Sequence, residues 1–184
     1  HEQNTKFAFS MQLANAGLVN VRTNIAVVSD FRQKDVALGG QGAPLTPAFH
    51  KYIFKNLAKK VGVLNIGGMA NISIISKKLQ GYDTGCGNVL MDLWIYKNHN
   101  KAYDKDGAWA KSGSVNKKLL KSFLDEEFFS KPAPKSTGRE LFNMAWLDKK
   151  LQDFKNLNSA DIQATLLELT ALSIANEVKK ITIN

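Results

Sequence analysis

Asn65-Ile66-Gly67-Gly68-Met69-Ala70-Asn71, followed by Gly81-Tyr82-Asp83-Thr84-Gly85-Cys86-Gly87-Asn88, is the stretch that decides the fold. Val61 to Ile66 and Ile72 to Ile75 are apolar runs of strand length on either side of a Gly-Gly pair, the pattern of a hairpin. A third short strand ends at Tyr82-Asp83, and the apolar residues from Asn88 to Tyr96 then fit a largely buried helix. Asp83 thus lies at a strand end, on a glycine turn that opens a helix, eighteen residues after Asn65. Such a lobe holds phosphate in backbone amides and points one carboxylate at whatever is phosphorylated.

Each residue in the stretch has a chemical reading and a plainer one. Gly67 and Gly68 let the chain turn tightly and bring N–H groups against an anion with no Cβ in the way, while Asn65 and Asn71 flank them with amide donors. The plainer reading is an ordinary type I′ hairpin. Asp83, with Gly85 and Gly87 after it, suits general-base chemistry beside a phosphate; the alternative is an Asp or Thr serving as turn and cap residue. Asp92, on the following helix, is a water-mediated Mg²⁺ ligand or a solvated helix residue, and the second is preferred. Cys86 has no histidine near it in sequence and is read as a bystander.

On the amino-terminal side, Phe7 to Leu13 has partial strand character and Asn15 to Asn20 reads as a short helix. Ile25 to Ser29, rich in β-branched residues, reads as a buried strand. It leads into Asp30-Phe31-Arg32-Gln33-Lys34-Asp35, at a strand's carboxyl end, where α/β folds bind ligands. Carboxylates beside cations suit sugar recognition there, and a surface ion-pair cluster is the equal alternative. Gly39-Gly40-Gln41-Gly42 is a hinge or phosphate-facing loop without the Lys-Ser/Thr ending of a P-loop, and no GxGxxG is present. Pro47 to Leu57 fits a helix.

On the carboxyl side, residues 98 to 116 are mixed loop and short helix, and Val115 to Phe128 reads as helical. Pro132-Ala133-Pro134 breaks the chain before Lys135-Ser136-Thr137-Gly138-Arg139-Glu140, an anion-binding or structural loop. A last helix has Ser159 as N-cap, Asp161 in its first turn, a stripe of Ile162, Leu166, Leu169, Leu172 and Val178, and Lys179-Lys180 in its last turn. Ile181 to Asn184 reads as the start of a strand. Trp94, Trp109 and Trp146 are read as packing groups. Strands mixed with helices indicate α/β or α+β architecture, divided near Asn56 to Lys60.

A length of 184 residues, 44% hydrophobic, permits one generous domain or two small lobes. No stretch approaches the ~18 apolar residues of a membrane helix. The chain opens His1-Glu2-Gln3, without initiator Met or signal segment, as a piece of something longer would. A lone cysteine excludes an intrachain disulfide, and His1, His50 and His99 are too scattered for a zinc site. The net charge of +9 rests on lysine, with only Arg22, Arg32 and Arg139 as arginines. Base reading and bidentate phosphate clamping favour arginine, so the charge is read as a lysine-rich surface that attracts small anions, and no nucleic-acid module is recognised.

Taken in order, the motifs are similar to those of one family. Val28-Ser29-Asp30-Phe31-Arg32, Gly39 to Leu45, the asparagine-glycine hairpin, Gly87-Asn88-Val89-Leu90-Met91-Asp92, Asp106 to Ala110, Lys135 to Glu140 and Gln163 to Leu169 resemble the anhydro-N-acetylmuramic acid kinases over essentially the whole chain. The resemblance implies the ribonuclease H-like α/β fold of the actin, Hsp70 and sugar-kinase ATPases, truncated at both ends. Residues 1–59 would be the end of the first lobe, and residues 60–184 the phosphate-binding and catalytic part of the second. It implies ATP and Mg²⁺, and conversion of 1,6-anhydro-N-acetylmuramic acid to N-acetylmuramic acid 6-phosphate with hydrolysis of the anhydro ring, in cell-wall recycling. Asp83 would be the catalytic base; Asn65, Gly67, Gly68, Asn71, Gly85 and Gly87 would hold phosphate or ATP; Asp30, Arg32 and Lys34 would contact sugar. No direct protein ligand to a metal is expected.

Three departures accompany the resemblance. Cys86 and Gln3 stand where the family generally has proline, and the family's opening Gly-Thr-Ser phosphate loop and its Gly-Gly-Gly-Ala segment fall outside this chain. The expected partners are the sugar and ATP, with neither nucleic acid nor membrane, in a cytoplasmic enzyme that is a homodimer when complete. The alternatives are another actin-like-fold sugar kinase, a catalytically silent scaffold, and a basic nucleic-acid binder whose affinity falls with salt.

Overall fold

The computed structural model describes residues 9–11, 13–40 and 42–183. Of the strand expected at Phe7 to Leu13, Phe7, Ala8 and Gln12 fall outside them; among the rest Phe9 is an isolated bridge and Ser10, Met11 and Leu13 are not in a strand. Strands β1 (Val61–Ile66), β2 (Met69–Ile75) and β3 (Gln80–Cys86) form one antiparallel sheet in that order. Helices α1 (Ala16–Thr23), α2 (Phe31–Ala37) and α3 (Pro47–Phe54) precede it. After it come α4 (Val89–His99), α5 (Ala108–Ser112), α6 (Lys117–Leu124), α7 (Glu127–Ser130), α8 (Met144–Lys150) and the long α9 (Ser159–Ile183). The architecture is mixed α/β with a small antiparallel sheet.

The hairpin forms where its glycines predict, with a different turn. Ile66 faces Ala70, so Gly67, Gly68 and Met69 make the connection, and the Gly67 N–H donates to the Met69 carbonyl at 3.2 Å. Neither Gly67 nor Gly68 takes a positive φ, which a type I′ turn requires. Their carbonyls turn instead toward the start of α4. Gly68 O accepts from Gly87 N–H at 2.8 Å and Val89 N–H at 3.3 Å, and Gly67 O accepts from Asn88 N–H at 2.9 Å. Amides at a helix start have no partner within the helix, and here the hairpin supplies it.

A bulge follows between β2 and β3. Ala70 faces Gly85 while Asn71 faces Asp83, which leaves Thr84 as the extra residue, its hydroxyl donating to Ala70 O at 3.2 Å. The two faces of the sheet are covered differently. Ile72, Ile74 and Tyr82 bury one face with Ile181 of α9. On the other, His50 Nδ1 of α3 lies 2.8 Å from Ser73 Oγ, and Pro44 and Pro47 press so close to Gly81 that a Cβ there would overlap Pro47.

The main core lies beside the sheet, around α9. Leu90 and Trp94 of α4, Leu119 and Phe123 of α6, Phe128, Phe142 and Leu147 meet Ile162, Leu166 and Leu169, all buried. Trp94 is held by its indole N–H to Ser159 O at 2.9 Å, while Trp109 and Trp146 pack at the core's edge. The amino-terminal segment is the opposite case: α1 has no buried residue, and Leu13, Val21, Tyr52 and Leu57 are exposed.

Four expectations are corrected. Ile25 to Ser29 is not a strand; no described strand pairs with it, and Val28 is 82% exposed. Val115 to Phe128 is two helices, because Glu126 takes an extended ψ of 131° between α6 and α7. The cap of α9 is Asn158, whose Oδ1 accepts from Ala160 N–H at 2.9 Å, and Ser159 is already helical. Ile181 extends that helix instead of starting a strand, since it lies one turn past Glu177 on the face that meets β2. The buried face of α9 runs through Ile162, Leu166, Leu169, Ser173 and Glu177; Val178 is exposed.

Gly87→Ala tests the dock between hairpin and helix, because a Cβ there would overlap the Gly67 carbonyl. The substitution should destabilise the full-length protein by about 1–3 kcal/mol, read by chemical denaturation.

Candidate active site

Asp83 lies in the middle of β3, not at the strand end expected of it, because the strand runs on past the Thr84 bulge to Cys86. Its side chain is on the sheet face that carries Ser73 and Asn71, since residues directly opposite in a ladder share a face. Asn71 faces Asp83 on one side and Asn65 on the other, so Asn65, Asn71 and Asp83 form one row across the three strands, beside the glycine turn. Three residues far apart in the chain are thus aligned by register alone.

A segment from 52 residues downstream completes the Asp83 environment. The Asp83 N–H donates to Lys135 O at 2.9 Å, which lays residues 135–137 along the outer edge of β3. From there the Ser136 hydroxyl and the Thr137 N–H both donate to Asp83 Oδ2, at 3.0 and 2.9 Å. No described residue donates to Oδ1. The carboxylate is therefore oriented through one oxygen and open at the other, as a proton acceptor must be. It is 6% exposed, and burial pushes its pKa above the ordinary carboxylate value. The Thr137 and Ser136 donors oppose that rise and the nearby Glu140 charge adds to it.

Lys135 itself is buried and structural, which takes that cation out of the anion-binding reading of its loop; Arg139 lines a cleft instead. Its ammonium pairs with Glu177 Oε1 at 3.0 Å and donates to Phe128 O and Phe129 O at 3.3 Å each. Lys180 also reaches Glu177 Oε1 at 3.0 Å, and the Tyr82 hydroxyl donates to Glu177 Oε2 at 3.4 Å. Burial alone would raise the Glu177 pKa, but the hydrogen bonds and charges of Lys180 and Lys135 outweigh it and hold the carboxyl below its usual range. The Tyr82 phenol is pushed up to about 12, by burial first and by the Glu177 charge second.

The glycines divide by role. Gly67 and Gly68 stand at the mouth of the row with Asn65 and Asn71. The Gly87 N–H is already taken by Gly68 O, so Gly87 serves close approach and offers no free amide. Gly85 lies inside the fold with a φ of 150°, where a Cβ would crowd Phe129 and Ser173, and packing accounts for it. Cys86 is 1% exposed and burial raises its thiol to about 12, so no thiolate nucleophile is available at neutral pH.

The donors to the Asp83 carboxylate among the described residues come from residues 136 and 137, and neither Arg32 nor Lys34 is among them. Asp30 precedes α2 in a left-handed conformation (φ 62°), and its carbonyl accepts from Gln33 N–H. The Arg32 guanidinium donates to Gly42 O at 2.5 Å, and Asp35 Oδ2 accepts from Gly42 N–H at 2.8 Å, which ties the glycine loop to α2. Asp92 differs from its expected solvated state: it is partly buried, its pKa raised by burial, and it lines a cleft of about 380 Å³ with Asn88, Arg139 and Phe142. No cluster of three or more His, Cys, Asp or Glu suited to a metal occurs among the described residues.

Ser136 and Thr137 were legible only as polar loop residues, because nothing local marks a donor to a distant strand. Glu177 was more readable: it falls on the apolar face of a helix, where a charge needs a buried partner.

A mixed α/β protein with a buried, singly oriented carboxylate beside a glycine turn is the class that fold and site define. Residues 1–184 match the profile described as anhydro-N-acetylmuramic acid kinase, and the chain belongs to that family. It is 60% identical to a protein of that name from Sulfurimonas denitrificans, over 98% of this chain and 51% of that protein. The corresponding proteins of a Sulfurovum species and of Pasteurella multocida are 56% and 54% identical, each over 98% of this chain. The chain spans about half the length of these relatives, 48–51%.

The raised Asp83 pKa predicts a stability signature. A carboxyl whose folded pKa lies above its unfolded value favours folding below the unfolded pKa, and that contribution is lost as pH rises through the folded one. Asp83→Asn removes the ionising group, so in the full-length protein its Tm should exceed the parent's at pH 7 and the gap should close toward pH 4. Thermal unfolding across pH checks this; a lower Tm at pH 7 would contradict it.

Proposed function

We propose that this chain is the central part of an ATP-dependent kinase that converts 1,6-anhydro-N-acetylmuramic acid to N-acetylmuramic acid 6-phosphate, with Asp83 as its general base. The observation that carries the proposal is the Asp83 carboxyl: buried, oriented through Oδ2, open at Oδ1 and level with Asn71 beside a glycine turn. The names of the relatives supply the substrate and the reaction class.

In this reading Asp83 Oδ1 accepts a proton from a water that attacks the anomeric carbon of the anhydro sugar. The bond from that carbon to O6 breaks, and O6 takes the electron pair and bonds to the γ-phosphorus as the bond to the leaving diphosphate breaks. Little besides positioning and charge stabilisation is needed, which suits a site of amides and one carboxylate. Gly67 and Gly68 with Asn65 and Asn71 are the proposed phosphate site; the Gly67 N–H is held by Met69 O at 3.2 Å, so Gly67 contributes close approach and not a donor. Gly85 and Gly87 support them by letting β3 and α4 pack closely. Asp30, Arg32 and Lys34 are the proposed sugar contacts.

Mg²⁺ fits this donor set, because it is commonly held by substrate phosphates and water with one or two carboxylates and needs no protein cage. When bound it neutralises phosphate charge. Asp92 is the partly buried carboxylate on α4 closest in sequence to the Asp83 turn.

The actin-like sugar-kinase fold is part of the same proposal, with residues 1–59 closing the first lobe and 60–184 belonging to the second. Apolar side chains exposed on α1, α3 and β1, among them Val21, Tyr52 and Ile66, support further protein covering that region in the longer parent. The complete enzyme is proposed to be a cytoplasmic homodimer; no described helix is long and apolar enough to cross a membrane.

Asp83→Asn in the full-length protein should lower ATP-dependent phosphorylation of the anhydro sugar by roughly 10³-fold or more while calorimetry still detects ATP binding. Near-normal turnover by that variant would remove Asp83 from the chemistry. An inactive parent would favour a silent scaffold.

A further inference from the structure

We propose that the buried Lys135–Glu177 ion pair is a positioning device for Asp83, locking residues 135–137 against β3 so that the Ser136 hydroxyl and Thr137 amide stay aimed at Oδ2. The inference rests on the reading of Asp83 as the general base and adds two residues to it, neither of which touches substrate.

The contacts form a closed circuit. Lys135 is 6% exposed, and its ammonium has three acceptors: Glu177 Oε1, Phe128 O and Phe129 O. An ammonium carries three protons, so none is left over for a phosphate or a sugar. The Lys135 carbonyl meanwhile accepts from the Asp83 N–H, and the next two residues donate to the Asp83 carboxylate. Glu177, 4% exposed, closes the circuit from the far side through Tyr82, the residue before Asp83 on β3. One carboxylate on α9 therefore grips both the strand that carries Asp83 and the arm that orients it.

Stability alone is a poor reason for such a pair. Removing two charges from water is costly, and apolar residues of similar volume often pack as well or better. Directed hydrogen bonds give what apolar packing does not: a fixed direction for the arm's backbone, and so for its donors.

The groups around Asp83 allow orientation to be separated from simple charge effects. On its own face are Glu140 of the arm, which raises its pKa, and His50 of α3, bonded to Ser73 on the same strand face. On the opposite face are Tyr82, Glu177, Lys135 and Lys180. A purely electrostatic influence of the pair would move the Asp83 pKa in opposite directions when each charge is removed: up without Lys135, down without Glu177. Loosening the arm withdraws donors from the carboxylate, which moves the pKa up in both cases.

The test is the pH dependence of kcat in the full-length enzyme for Lys135→Met, Glu177→Gln and, as reference, Ser136→Ala. The expected result is that the acid limb moves to higher pH in all three, with kcat down on the order of tenfold to a hundredfold and KM within about twofold. An acid limb that stays in place or moves to lower pH in Glu177→Gln, with only Tm reduced, overturns the proposal. If Lys135→Met does not fold, the isosteric Glu177→Gln decides alone. Full activity in Asp83→Asn would remove the base itself, and this inference with it, which separates that failure from failure of the pair.

Discussion

A carboxylate removed from water must find donors, and for Asp83 they come from an arm more than fifty residues later in the chain. Much of the second half of the structure answers that need. The arm must lie along β3, so Lys135 must be buried. A buried ammonium must be paired, so Glu177 must stand on the inner face of α9. That in turn fixes how α9 crosses the sheet, with Ile181 one turn further along and packed on Ile72 and Ile74. The site and the fold share one set of contacts.

The glycine turn has a comparable double role. Its carbonyls satisfy the first amides of α4 and so fix where β3 gives way to helix, which requires Gly87 to approach the turn without a side chain. The carbonyls are engaged by the start of α4, and only the Ile66–Ala70 pair separates the turn from the row formed by Asn65, Asn71 and Asp83. Glycines that look alike in the sequence therefore differ in function: Gly67 and Gly68 border the site, Gly87 permits the dock, and Gly85 makes room for Phe129 and Ser173.

The elements most legible in the sequence were those with strong local signals. Two apolar runs around Gly67-Gly68 gave the hairpin, and the acid before Gly85-Cys86-Gly87 stood out as the candidate reactive group, although the turn expected there is the end of β3. Ile25 to Ser29 misled because β-branched composition marks a strand only where a partner pairs with it, and no described strand does so. Ile181 misled for the complementary reason, since packing against β2 kept it helical. Asp92 looked solvated because a single helical position carries no record of the cleft formed by Arg139 and Phe142.

Local chemistry by itself determined the hairpin, the helix after it and the presence of one poised carboxylate, because turn residues and short-range periodicity act between neighbours. Which oxygen of Asp83 is held, which is open, and whether Lys135 binds an anion or a carboxylate were decided only in three dimensions. Those outcomes depend on burial and on hydrogen bonds between segments some fifty to one hundred residues apart. Burial sets how much a charge needs a partner, and only tertiary packing sets which partner it meets.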